Sequence, residues 1–373
     1  MAASRRLRLG IIGAGEVFQV CHGPCLMLMP HLFQVESICD LSPSTVEQCA
    51  AKFNIPHQTT TPQEVIDHPN VEAVFVLTSD ESHAPLVIAA LNAGKSVFVE
   101  KPVSLSIASV QSIIEAEQNA PSGARVFVGY MRRYAPSFLQ AFKREIASIP
   151  KILYARVRDF SGPNAQFVGQ SGTFPVKNSD YPVTATEERD LRLESLFREA
   201  FPGQEITDEK RKFCRFLGSL GSHDISLMRE ALGSPEKVLG VSANDPFYSA
   251  ILKMRNKDGS TYSTTYESGI DGVPVFDAHI AVYGASKRVT IKYDSPYVKG
   301  LPIHVEVEEP NEHGEIQKRT IMSSYEDAYT AELQEMYKSF VDGRDIKTSV
   351  QDARKDLEIY DLMYQAWLAN ESC

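Results

Sequence analysis

Apolar residues along the first 130 positions come in short runs separated by stretches with a helical repeat. Residues 7–12 (Leu-Arg-Leu-Gly-Ile-Ile) make a run of strand length, and residues 35–39, 71–77, 97–99 and 126–128 repeat it. Between them the period lengthens. Residues 16–29 read as a helix stopped near Pro30. Ser42 reads as an N-cap with Pro43 at the first helical position, ahead of a helix to about Phe53 that Asn54 is suited to end. Thr61-Pro62-Gln63-Glu64 has the form of a capping box, and residues 85–93 form a helix closed by Gly94. Strands alternating with helices at this spacing predict a doubly wound parallel sheet.

After Arg133 the pattern changes. Residues 152–160 and 238–322 contain strand-like runs that follow one another through turns such as Asn256-Lys257-Asp258-Gly259, with hardly any helix between. This predicts an α+β domain on an open, mostly antiparallel sheet. Two helical regions accompany it: residues 187–232, expected to break around Gly218 and Gly221, and the tail, residues 325–370. Residues 161–186, with Gly162, Pro163, Gly169, Gly172, Pro175 and Pro182, predict a long loop, either near the site or a tolerated insertion. The expected division is an α/β domain over residues 1–130 and an α+β domain with closing carboxyl-terminal helices over 131–373. A chain of 373 residues, 43% of them apolar, is long enough to fill both cores.

Charge narrows the partners. With 38 basic and 48 acidic residues the net charge is −10, and no basic block or aromatic-basic stripe could follow a phosphate backbone, so nucleic acid is not an expected partner. No run approaches the roughly 18 uninterrupted apolar residues of a membrane helix. The basic start, Ser4-Arg5-Arg6-Leu7-Arg8, meets an apolar run broken at once by Gly10, Gly13 and Gly15, and reads as a free amino terminus rather than a targeting peptide. A cytoplasmic protein is expected. Cys21, Cys25, Cys39, Cys49, Cys214 and Cys373 form no CxxC pair. Cys21, His22 and Cys25 lie close together, but no second ligand pair accompanies them, so no metal is expected.

Two features carry chemistry. In Gly10-Ile11-Ile12-Gly13-Ala14-Gly15-Glu16-Val17-Phe18, Gly13 permits a tight strand-to-helix turn and Gly15 lets the backbone approach a pyrophosphate. The helix opening at Glu16 and Val17 offers unpaired amides and its positive dipole end. Phe18 stands where a small third glycine is usual, so its ring must point away from the helix–sheet contact. Asp40, at the end of the second strand, suits both ribose hydroxyls and repels a 2′-phosphate, which favours NAD over NADP; the alternative is a turn aspartate before Ser42. The second feature is Val97-Phe98-Val99-Glu100-Lys101-Pro102, a buried strand that ends on a carboxylate, an ammonium and a proline.

Taken together with the Thr78-Ser79 to His83 turn and Gly129-Tyr130-Met131-Arg132-Arg133-Tyr134, these motifs resemble the glucose–fructose oxidoreductase and inositol dehydrogenase family, Gfo/Idh/MocA. The resemblance extends more weakly through Gly221-Ser222-His223-Asp224 to Glu332, Phe340, Gly343 and the helix of Asp352. It implies an NAD(P)-dependent oxidoreductase acting on sugars, polyols or related cyclic compounds, assembled as a homodimer or homotetramer through the carboxyl-terminal sheet. Carried across, Glu100, Thr78, Ser79 and His83 would help seat the cofactor. Lys101 would touch the substrate hydroxyl and the nicotinamide ribose, aimed by the Lys101–Pro102 bond, which can be cis although cis X-Pro bonds are a small minority. His223 would lie beside the reacting carbon, with Tyr130 assisting and Arg133 and Ser219 on the substrate side. Either Lys101 stabilises the oxygen while His223 takes the proton, or Lys101 carries the proton and His223 orients.

The departures are specific. Ser219 stands where the family often has an aspartate four residues before the histidine, Phe213-Cys214-Arg215-Phe216 replaces a glycine-rich run, Ser226 replaces a second aspartate and Met131 a frequent asparagine. Two other functions share the fold: a non-catalytic NAD-binding regulator and an NAD-dependent glycosidase.

Overall fold

The computed structural model describes residues 5–371; the expected free amino terminus at residues 1–4 and Cys373 lie outside it. Two compact units are present. The first comprises the chain up to Tyr130 together with Ser171–Ile206 and Glu332–Arg354, and the second comprises Met131–Gln170, Thr207–Ala331 and the chain from Lys355. A single division at 130/131 thus describes only the first of several crossings. The later ones are set by contacts that no local pattern announces.

Among the described residues the first unit holds a six-stranded sheet: β1 (Leu7–Ile12), β2 (Phe33–Cys39), β3 (His57–Thr59), β4 (Ala73–Val76), β5 (Ser96–Glu100) and β6 (Val126–Gly129), in the order β3-β2-β1-β4-β5-β6. Every pairing is parallel, and the order reverses between β1 and β4, so the strand carboxyl ends line one edge with a crevice at the reversal. Phe75, Phe98 and Phe127 occupy one register row across β4, β5 and β6 and stack at 4.7 and 5.7 Å between centroids. Two elements go beyond the pattern read above. These are β3, which is short and polar, and the helix Ile107–Gln118, capped by Ser106 through the Ser109 amide.

Local signals hold at Ser42, whose hydroxyl accepts the Thr45 amide, and at Asn54, which closes Pro43–Phe53 with φ 58°. At Thr61 the cap differs. The hydroxyl makes no capping bond, and the Thr61 amide is taken by the Thr59 hydroxyl at 3.0 Å instead of by Glu64. The segment Glu332–Arg354 covers the β6 edge: the Val128 amide donates to the Thr348 carbonyl at 2.9 Å, and Phe340 meets Phe127 edge-on. An exposed strand edge invites pairing, and here the chain supplies its own cover.

In the second unit eight strands form one sheet among the described residues: β7 (Tyr154–Ser161), β8 (Lys237–Asn244), β9 (Phe247–Arg255), β10 (Thr261–Ile270), β11 (Phe276–Tyr283), β12 (Arg288–Tyr293), β13 (His304–Pro310) and β14 (Ile316–Ile321). Their order is β14-β13-β12-β11-β7-β10-β9-β8, antiparallel except where β7 and β10 run parallel. The Asn256–Gly259 turn joins β9 to β10, with Gly259 at φ 85°.

The helical region before β8 corrects an expectation. It breaks at residues 201–207, around Pro202 and Gly203, and not at Gly218 and Gly221. The helix Asp208–Phe216 runs through those glycines as a wide π turn, Leu217–Gly221, into Ser222–Leu232. Gly221 is required there for room, since a Cβ would lie 2.7 Å from the Tyr266 hydroxyl. Phe213 and Phe216 are core residues: Phe213 stacks on Tyr248 and meets Trp367, and Phe216 stacks on Tyr248 at 4.1 Å. Residues 161–186 likewise are less irregular than expected, with a short helix at Asn164–Gly169 and another beginning at Val183. The tail is two helices, Ala328–Val341 and Val350–Glu371.

The close approach at Gly221 gives a stability prediction. Gly221→Ala should cost about 1–3 kcal/mol by overpacking. Because the close approach is to the Tyr266 hydroxyl itself, Tyr266→Phe in the same chain should return most of that loss. Urea unfolding of the single and double variants checks it; additive losses would locate the strain elsewhere.

Candidate functional site

The first unit gathers one set of sequence-predicted residues at the carboxyl edge of its sheet. Gly13 follows β1 at φ 104°, where a Cβ would lie 2.6 Å from the Leu77 carbonyl oxygen, so only glycine serves. Gly15 is exposed and a Cβ on it would meet nothing, which leaves an open approach to the backbone. Glu16 is exposed and Val17 half-buried at the start of the helix. Phe18 turns sideways onto Phe53 of the neighbouring helix, 4.9 Å between centroids, and clears the sheet as the fingerprint required. A π turn, Phe18–His22, accommodates it, closed by the Gly23 amide on the Phe18 carbonyl. This wider turn carries the following side chains further round the helix axis.

His22 is the principal residue that sequence reasoning missed. Its ring is fully buried, meets Phe75 and Phe98 edge-on, and places Nε2 2.7 Å from Glu100 Oε1. The other oxygen, Glu100 Oε2, accepts the Lys101 amide at 3.1 Å. Glu100 is therefore held from both sides at the end of β5, with Gly129 beside it on β6 leaving space for the carboxylate. Lys101 follows half-buried, and the Lys101–Pro102 peptide is cis. The signal in the sequence was a polar residue, like Gln19 before it, in a mostly apolar helix.

Asp40 joins two loops. Its Oδ2 accepts the Ala14 amide at 2.8 Å and its Oδ1 the Ser42 amide at 3.0 Å, so it braces the glycine turn and also makes the local turn weighed as its alternative. Each oxygen keeps a second lone pair for a ligand hydroxyl. Burial first, and then the charge of Asp40, push the neighbouring Cys39 thiol up to about 12. Thr78 is half-buried and Ser79 exposed. His83 is buried, with Nδ1 2.7 Å from the Pro102 carbonyl and Nε2 3.0 Å from that of Thr78. It ties the loop after β4 to the loop after β5. Tyr130, ending the β6 side, is also buried.

A segment from far down the chain lies along the first two helices of this unit. The Gln19 side chain grips Val176 at both its amide and its carbonyl, at 2.7 and 3.0 Å. Asn178 donates to Thr45 Oγ1 at 3.1 Å. Asp180 accepts from the Ser42 hydroxyl and from the Ser44 amide, the latter at 3.0 Å, and the Ser42 and Ser44 bonds hold its carboxyl down to about 2.

The second unit carries Arg133, Ser219 and His223. Arg132 and Arg133 are both buried. Arg133 pairs with Glu230 at 2.6 Å. Arg132 bridges Asp159 at 2.9 Å and Asp224 at 2.7 Å, with Tyr293 against its flat face. Burial opposes its charge, but Asp159 and Asp224 outweigh burial and hold the guanidinium pKa above its ordinary value. Asp224 directly follows His223, so this pair of bonds anchors the start of Ser222–Leu232. His223 is half-buried and Ser219 exposed, its hydroxyl on the Phe216 carbonyl at 3.4 Å.

Residues 7–130 match the Gfo/Idh/MocA model, described as an oxidoreductase family with an NAD-binding Rossmann fold, which bears out the resemblance read from the sequence. Myo-inositol 2-dehydrogenase of Thermotoga maritima is 31% identical over 169 residues, 44% of this chain and 49% of that protein. Scyllo-inositol 2-dehydrogenase (NAD(+)) of Bacillus subtilis is 33% identical over 142 residues, 37% of this chain and 41% of its own length. The matched region thus spans at most about half the length of these curated relatives. The structure of a levoglucosan dehydrogenase, in complex with NADH and levoglucosan, superposes with a TM-score of 0.73 at 16% identity over 98% of both chains, and shows the same fold.

The buried His22–Glu100 bond is testable through stability. His22→Phe keeps a ring against Phe75 and Phe98 but leaves the carboxylate without this donor, an expected loss of about 1–3 kcal/mol. Adding Glu100→Leu should recover part of it in urea unfolding; no recovery would mean that the pair is not coupled.

Proposed function

We propose that the chain is an oxidoreductase that uses NAD rather than NADP to exchange a hydride with a secondary alcohol or ketone of a sugar, polyol or related cyclic hydroxylated compound. The observation that carries this reading is the placement of the Gly13–Gly15 turn, Asp40, Thr78, Ser79 and the Glu100-Lys101-Pro102 turn at the carboxyl ends of β1, β2, β4 and β5. In an open α/β sheet that edge is where ligands bind. The inositol substrates named for the relatives support the substrate class.

When bound, the nicotinamide supplies the hydride exchange, and the remaining tasks fall to side chains. The Gly15 approach and the amides after it suit a pyrophosphate, and Asp40 suits the adenine ribose hydroxyls. Lys101 polarises or protonates the reacting oxygen. His223 assists proton transfer, with Tyr130 as a further candidate. Because Ser219 brings no carboxylate to the histidine, more of the proton handling falls on Lys101. A homodimer or homotetramer through the second unit's sheet belongs to the same reading, and the exposed Leu239 and Ile251 on β8 and β9 support it.

Purified protein incubated with NAD and a panel of cyclic polyols and aldoses should form NADH in step with oxidised product. Binding of NAD without turnover across the panel would favour a regulator, and release of an aglycone without net NADH a glycosidase. Lys101→Met should abolish most of kcat while leaving NAD affinity nearly intact. Unchanged turnover would remove Lys101 from the mechanism.

A further inference from the structure

We propose that Asp180 is a specificity-determining residue that excludes a 2′-phosphate by occupying, with its own carboxylate, the place where that phosphate would be held. The inference rests on the NAD reading above and assigns part of the cofactor choice to a residue 140 positions beyond Asp40.

In a doubly wound sheet the adenine ribose lies at the carboxyl end of the second strand, beside the acidic residue there. Directly after Asp40, whose Oδ1 accepts the Ser42 amide, comes the start of the next helix, Pro43–Phe53, the neighbouring source of donors for a phosphate on the 2′-oxygen. Such a helix start is a natural anion site, with amides unpaired and the positive dipole end exposed. In this chain the site is already engaged. The Ser42 hydroxyl and the Ser44 amide, the donors a 2′-phosphate would need, both serve Asp180.

Asp180 is exposed, so a solvent-facing negative charge remains at the spot. Together with Asp40 it sets two carboxylates around one short loop. Its position is not accidental slack in a surface loop. Asn178 on Thr45 and Val176 on Gln19 fix the chain immediately before it. A dianionic phosphate would therefore have to displace the carboxylate and lose its donors, or bind beside it against repulsion. NAD, with a free hydroxyl there, meets neither obstacle.

The test measures binding of NAD, NADP, 5′-AMP and 2′,5′-ADP by calorimetry to the unaltered chain and to Asp180→Asn and Asp180→Arg. Asp180→Asn should tighten NADP and 2′,5′-ADP by about tenfold or more while NAD and 5′-AMP stay within about twofold. Asp180→Arg should move the preference further the same way. Retained NAD binding with NADP and 2′,5′-ADP unchanged in both variants would overturn the assignment. Equal weakening of all four ligands, with a lower Tm, would also overturn it, by showing that the residue only holds the segment in place. If the unaltered chain binds no NAD, the cofactor reading itself fails, and this inference with it.

Discussion

The buried bond between His22 and Glu100 is the constraint around which the first unit's chemical edge is organised. A carboxylate and an imidazole removed from water are costly unless each satisfies the other. Here the partners come from the helix that opens the glycine turn and from the strand that ends in Lys101. Satisfying them brings those two elements into register. The π turn at Phe18–His22 makes this geometry available. It lets a phenylalanine take the place of the third fingerprint glycine by packing on Phe53, and it turns His22 onto the row of Phe75 and Phe98. With Glu100 held by His22 on one oxygen and by the Lys101 amide on the other, the direction in which Lys101 leaves the strand is fixed by backbone and not by its own flexible stem.

The same logic of internal partners runs round the rest of the edge. His83 joins the loops after β4 and β5 through two carbonyls, and Asp40 joins the glycine turn to the start of the second helix. In the second unit, Arg132 between Asp159 and Asp224 anchors the helix that carries His223. Residues that read as ligands from the sequence thus divide into two kinds. Gly15 and Ser79 are exposed, while Glu100, His83 and Arg133 each make bonds that hold neighbouring segments. Both kinds sit in the same short motifs, because a loop that must be rigid needs its own polar supports beside the groups that face outward.

Much of this was legible in the chain. The alternation of apolar runs with helical repeats specified the parallel sheet, since strand and helix differ in period and a buried strand must be apolar on both faces. Gly13, Ser42 with Pro43, Asn54 and Gly94 were readable as turns and caps because their chemistry acts within a few residues. The failures are equally local in origin. Glycines at 218 and 221 suggested a break, whereas Gly221 serves the clearance to Tyr266, a residue on β10.

What the sequence by itself determined is therefore the class of each unit, the glycine turn, the carboxylate after β2 and the charged end of β5. Tertiary structure alone decided that residues 171–206 and 332–354 return to the first unit, that His22 meets Glu100, that Arg132 is buried between two aspartates and that Asp180 accepts the amide of Ser44, 136 residues earlier in the chain. The reason is range. Periodicity, capping and turn chemistry operate between neighbours, whereas the pairing of buried charges is set by which distant segments the packed core leaves adjacent, and no spacing along the chain records that.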